Sequence, residues 1–129
     1  MIERLNAEHN TIHILPFVED VHFPALYSGA VALVYPSLHE GFGLPVVEAM
    51  ACGTPVITAN TTSLPEVAGN AALLVFPTDT DALSKAMVRI LDEPGLSTSL
   101  SKAGIEQAKK FSWQKMVEEV IGEYARLAR

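Results

Sequence analysis

Residues 36–55 read Pro-Ser-Leu-His-Glu-Gly-Phe-Gly-Leu-Pro-Val-Val-Glu-Ala-Met-Ala-Cys-Gly-Thr-Pro, and the reading of this stretch decides the fold. One hydrophobic run, Val31 to Tyr35, leads into it, and a second, Val56 to Ala59, follows. Gly41, Gly43 and Pro45 stop any helix begun at Ser37, so Glu40 belongs to a loop rather than to the far end of a capping box. Proline suits the first turn of a helix, where its missing N–H is not wanted, so Pro45 marks a helix start. The amides ahead of it, with the positive end of the helix dipole, favour an anion. Gly41 and Gly43 let the backbone come close to whatever binds there.

The two acids, Glu40 and Glu48, need more than their spacing to be singled out. Eleven Glu in 129 residues make about one Glu-x7-Glu pair expected by chance. Glu48 also has a plain reading, as a first-turn acid complementing the dipole. Its neighbours Val46, Val47, Ala49, Met50 and Ala51 make the helix apolar nearly all round, which predicts a buried element and a lone buried carboxylate. Such a group needs hydrogen-bond donors, and a sugar or ribose diol supplies two.

Around this corner the chain alternates. Thr11 to Val18, Val31 to Tyr35, Val56 to Ala59 and Ala72 to Phe76 are short β-branched and apolar runs bounded by Pro, Gly or Asn, and they predict four strands. Their continuous hydrophobicity suggests parallel strands covered on both faces. Helices are expected over Phe23 to Ser28, Pro45 to Ala51 and, as a short turn, Leu64 to Val67. This is an α/β, Rossmann-like open parallel sheet of about four strands, whose ligands sit at the carboxyl ends of the strands. After Pro77 a helical segment follows. Thr78-x-x-Asp81 reads as a capping box for a helix to about Asp92, and Glu93-Pro94-Gly95 breaks it. A second helix runs from about Leu96 to Lys110, and Ser112 caps a third. In that last helix Trp113, Met116, Val117, Val120, Ile121, Tyr124 and Leu127 recur at helical spacing, a stripe expected to pack on its own domain, with recognition of a partner as the alternative. Ser63-x-x-Glu66 likewise reads as a capping box, with Glu66 in the capping role.

The segment Glu40 to Val56 resembles the retaining family 4 enzymes of the GT-B fold, whose signature is Glu-Gly-Phe-Gly-Leu-Pro-x-x-Glu-Ala-Met-Ala-x-Gly-x-Pro-Val. It matches that signature without departure. Leu26 to Ala30, Leu64 to Gly69 and Pro77 match as well, and the likeness runs from about Ile12 to Leu127. The resemblance implies a glycosyltransferase: transfer of a sugar from a UDP-, GDP- or ADP-sugar to an acceptor hydroxyl, with retention. Glu40 would face the donor sugar beside the reacting carbon, the catalytic position, and Glu48 would accept from the nucleotide ribose. The amides of Gly41, Phe42, Gly43 and Leu44 would approach sugar and diphosphate, and Val18 would lie near the nucleobase. Residues 1–129 would then form a single partial C-terminal, donor-binding domain. The N-terminal GT-B domain, with its acceptor site, and the Arg and Lys that clamp the diphosphate precede the aligned segment. The resemblance implies no metal and no cofactor, and an isolated fragment that binds without turnover. A non-catalytic nucleotide-sugar module, or an α/β interaction domain, is the alternative.

Composition agrees with a compact domain: 49% of residues are hydrophobic, and the net charge is −6. That charge argues against general binding to nucleic acid or anionic membranes. No lysine or arginine stands between Arg4 and Lys85, so a diphosphate at the corner would find amides and no side-chain cation. No apolar run is long enough to span a bilayer, and Met1 to Asn6 lacks a leader pattern, so the expectation is a cytoplasmic protein without a transmembrane segment. Cys52 is the sole cysteine, and His9, His13, His22 and His39 show no metal-ligand spacing. In the resembled sheet order two upstream strands separate Thr11–Val18 from Val31–Tyr35. Either the first strand slides in to pair, or edges stay open and invite self-association.

Overall fold

A computed structural model describes residues 11–127; Met1–Asn6 and His9 lie outside them. Strands β1 (Leu33–Tyr35), β2 (Val56–Ala59) and β3 (Ala72–Val75) form a parallel sheet in the order β1-β2-β3. Leu33 stands opposite Val56 and Tyr35 opposite Thr58, while Ala59 faces Val75 on the other side. Helices α1 (Phe23–Gly29), α2 (Leu44–Ala51), α3 (Leu64–Ala68), α4 (Thr80–Asp92), α5 (Leu96–Ala108) and α6 (Trp113–Leu127) complete the described elements, after a 3-10 turn at Asp20–His22.

Only β2 is buried along its whole length, because it alone has a strand on each side. Successive side chains of a strand point to opposite faces, and β2 therefore feeds two cores. Val56 packs with Val46, Met50, Leu64 and Val67 from α2 and α3; Ile57 packs with Ala86, Ile90 and Leu100 from α4 and α5. Fully burying side chains of this size contributes about 1.5–3 kcal/mol each. The edge strands β1 and β3 are only partly covered, short of the two-sided burial expected of every strand.

Thr11–Val18 is not a strand. Ile14 and Phe17 stand in solvent at 75% and 89% exposure, and no ladder joins this run to β1. Among the described residues no strand pairs with the outer edge of β1, and strand-like composition does not make a strand where no ladder forms.

Three local expectations are corrected. Asp79, not Thr78, caps α4: its Oδ1 accepts from the Ala82 N–H at 2.8 Å, one residue along from the expected box. Ser63 precedes α3 without a side-chain cap bond, and Glu66 is exposed, so that capping box does not form. Helix α6 is capped by Ser112, whose Oγ accepts from the Lys115 N–H at 3.1 Å, yet none of its residues is buried. It is not packed into its own domain: Trp113 and Met116 only border an open groove against Phe42 and Leu44, while α2 to α5 cover both faces of β2. Its stripe stays in solvent, with Trp113 at 70% and Tyr124 at 72% exposure.

Candidate functional site

The loop of Glu40 leaves the carboxyl end of β1, and the loop of Thr61 to Ser63 leaves the carboxyl end of β2 beside it. The second loop clamps the first. Thr62 Oγ1 accepts from the Glu40 N–H at 3.2 Å, and Ser63 Oγ donates to the carbonyls of Glu40 and Phe42, each at 3.0 Å. Thr62 adopts φ 55°, a left-handed conformation that costs a non-glycine residue about 1–2 kcal/mol and persists only where surroundings enforce it. Gly43 caps α2 at φ 102°, and a Cβ there would lie 2.6 Å from the Leu64 side chain. Gly41 is different: its backbone needs no glycine, and a Cβ would meet open space.

With the loop held this way, the N–H groups of Phe42, Gly43 and Leu44, at the start of α2, have no protein acceptor among the described residues. Pro45 sits in the first turn, as expected, and the first hydrogen bond into the helix is from the Val46 N–H to the Gly43 carbonyl at 3.0 Å. Three successive free donors at the positive end of a helix are suited to phosphate oxygens.

Each carboxylate is held by a tyrosine. The Tyr35 hydroxyl, at the end of β1, donates to Glu40 Oε1, and the Tyr27 hydroxyl, on α1, donates to Glu48 Oε2 at 3.1 Å. The bond from Tyr35, helped by the Ser37 hydroxyl, holds the Glu40 carboxyl below the usual carboxylate range. Glu40 is thus an anion and an acceptor at neutral pH, not a proton donor. The same bond, and then burial, holds the Tyr35 phenol above its ordinary value. Burial first, and Glu48 second, push Tyr27 up to about 12.

Glu48 is not buried, contrary to the expectation from its apolar neighbours. Those neighbours face two directions, Val46, Ala49 and Met50 into the core and Leu44, Val47 and Ala51 onto a groove, and Glu48 opens on the groove side. The groove has a volume of about 730 Å³, with Phe42, Leu44 and Glu48 on one wall and Phe111, Trp113 and Met116 on the other. Phe42 meets Phe111 edge to face at 5.5 Å. Lys110 and Lys115 also border it, cations that the empty stretch from Arg4 to Lys85 did not suggest. Glu40 does not line this groove; the structure gives the two carboxylates different tyrosines and different surroundings, joined by the loop between them. Val18 belongs to neither the groove nor the clamped loop. Tyr27, Tyr35, Thr62 and the Ser63 hydroxyl were missed, and the available signal was that a half-buried tyrosine needs a partner for its hydroxyl.

The family model for glycosyl transferases group 1 matches residues 1–110. The chain belongs to that family. Its relatives among the group 1 glycosyl transferases include the O-antigen chain mannosyltransferase B of Escherichia coli, 43% identical over 96% of this chain and 32% of that protein. They also include the MMP alpha-(1->4)-mannosyltransferase of Mycolicibacterium hassiacum, 38% identical over 95% of this chain and 31% of that protein. Among solved structures, sucrose-phosphate synthase from Thermosynechococcus elongatus superposes with a TM-score of 0.86 at 34% identity, covering 98% of this chain and 33% of that one. The chain therefore spans about a third of the length of these relatives. The three-stranded parallel sheet with flanking helices is a Rossmann-like portion of the GT-B fold. No helix among the described residues is long and apolar enough to cross a membrane.

Proposed function

We propose that this chain is the donor-binding part of a retaining sugar transferase, taking a nucleotide sugar at the clamped loop and the start of α2. The observation that carries the reading is the run of unpaired amides at Phe42, Gly43 and Leu44, with Glu40 before it and Glu48 after it in the chain, each carboxylate held by a tyrosine. As the bond from the anomeric carbon to the diphosphate lengthens, negative charge grows on the phosphate and positive charge on the sugar. Amides already aimed at the phosphate stabilise the first without reorganisation, and an ionised Glu40 stabilises or orients the second. Glu48, one turn into the helix and open to the groove, accepts from the ribose. The mannosyltransferases among the relatives favour a hexosyl donor. Acceptor choice and turnover are assigned to the rest of the full-length architecture, so residues 1–129 are read as one partial C-terminal domain that binds its donor and does not turn it over.

Calorimetry of the chain with UDP, GDP and ADP tests this. One nucleotide is expected to bind, and Glu48→Ala to weaken it by about 1–3 kcal/mol with the fold retained, the worth of a hydrogen bond to a charged group. Unchanged affinity in that variant removes Glu48 from the site. The interaction-domain alternative is favoured instead if no nucleotide binds at all.

A further inference from the structure

Tyr27 and Tyr35 lie on different elements, 21 and 5 residues from the acids they meet, and each does the same two things. Its ring packs against the core formed by Val46, Met50, Val56 and Leu64, and its hydroxyl reaches out of that core to a carboxylate. The rings are anchored on the backbone side as well. The carbonyl of Tyr27 accepts from Thr54 Oγ1 at 2.7 Å, and that of Tyr35 from Thr58 Oγ1 at 2.9 Å, so a threonine of the β2 region pins each tyrosine. Tyr27 also stacks on Phe23, with ring centroids 5.9 Å apart. A phenol on a pinned ring offers its proton in one direction. A glutamate on an open surface has three rotatable bonds, and ordering it on binding costs about 1 kcal/mol or more.

We propose that Tyr27 and Tyr35 are positioning residues, each occupying one oxygen of a signature carboxylate so that Glu48 and Glu40 are presented to the donor already oriented. The assignment rests on the donor-site reading above and deepens it. In Glu48, Oε2 takes the phenol, and Oε1 carries no protein hydrogen bond among the described residues and is free for a ligand hydroxyl. The tyrosines touch no reacting atom. Their effect is to spend the ordering entropy during folding rather than during binding.

Tyrosine to phenylalanine keeps the ring and its packing and removes only the donor, so the variants test positioning rather than folding. With the wild-type 129-residue chain, Tyr27→Phe, Glu48→Ala and the double variant are titrated calorimetrically with UDP, GDP and ADP. Tyr27→Phe is expected to weaken the nucleotide that binds by about fivefold, the net worth of one hydrogen bond, and to have no further effect on the Glu48→Ala background, where no acceptor is left to position. Loss in Glu48→Ala with none in Tyr27→Phe, or equal loss from Tyr27→Phe on both backgrounds, overturns the positioning role and leaves the donor site standing. No loss in Glu48→Ala, or no nucleotide binding by the wild type, overturns the Glu48 site and the role of Tyr27 with it. The second arm needs no ligand: the carboxyl carbon of Glu40, followed by NMR against pH, is expected to titrate at higher pH in Tyr35→Phe than in the wild type. An unchanged midpoint overturns the role of Tyr35.

Discussion

Gly43→Ala is the substitution with the largest effect that the geometry allows to be worked out in advance. Gly43 has φ 102°, and an L side chain in the left-handed region costs about 1–2 kcal/mol. The added Cβ would also sit 2.6 Å from Leu64 Cδ2, far inside contact distance. Leu64 is fully buried among Val46, Val67 and Ala68, so moving it aside disturbs the core, and overpacking adds about 1–3 kcal/mol. Alanine restricts the unfolded chain and returns about 0.4–1 kcal/mol. The expected net loss is about 2–4 kcal/mol, a large share of the roughly 5–15 kcal/mol that holds a domain together. Gly95→Ala is the matched control, since Gly95 has φ 82° and nothing within 4 Å of its Cβ. It carries the strain without the clash and is expected to lose about 1 kcal/mol. Urea unfolding of the two variants side by side isolates the contact with Leu64. If they differ by less than about 0.5 kcal/mol, the loop is not seated tightly on Leu64 of α3.

Other outcomes follow from single features. Gly41→Ala is expected to leave stability unchanged or slightly raised, since its Cβ enters open space, while lowering nucleotide affinity by crowding the ligand; equal affinity would put the donor elsewhere. The depressed pKa of Glu40 contributes stability above the ordinary 4.5 of a free carboxyl that is lost as pH falls below it, and acid melts of Tyr35→Phe should show a shallower loss in that window. Tyr27, raised from 10.0 to about 12, contributes in the opposite sense: its share is present below pH 10 and lost between 10 and 12, so Tyr27→Phe should flatten the alkaline limb of the melt. Ile121→Asp, on the open stripe of α6, is expected to change folding free energy by no more than about 0.5 kcal/mol and to reduce self-association in sedimentation; undiminished association would assign it to another surface such as the edge of β1.

Local chemistry made most of the fold legible. Val56–Ala59 is buried on both faces and reads so, and Pro45, Gly95 and Ser112 stand where helices begin. Failures arose where a residue's fate depends on what lies across space. Thr11–Val18 has the composition cues of a strand and joins no ladder of the described sheet. Helix α6 has a regular apolar stripe, yet it only borders an open groove against α2 and none of its residues is buried. Glu48 looked buried because its flanking residues are apolar, yet a helix can be apolar on two sides for two reasons, a core on one and a groove on the other. At the site, loop, glycines and both acids were visible in residues 36–55, whereas the tyrosines that hold the acids come from α1 and β1, and spacing along the chain carries no trace of those bonds.

Amide NMR of the chain with UDP, GDP and ADP tests the donor site most directly. One of them is expected to shift the N–H signals of Phe42, Gly43 and Leu44 first and most, because those donors gain phosphate acceptors they lack in the free chain. Shifts gathered on α6 or the β3 edge, with these three amides unmoved by every nucleotide, would contradict it.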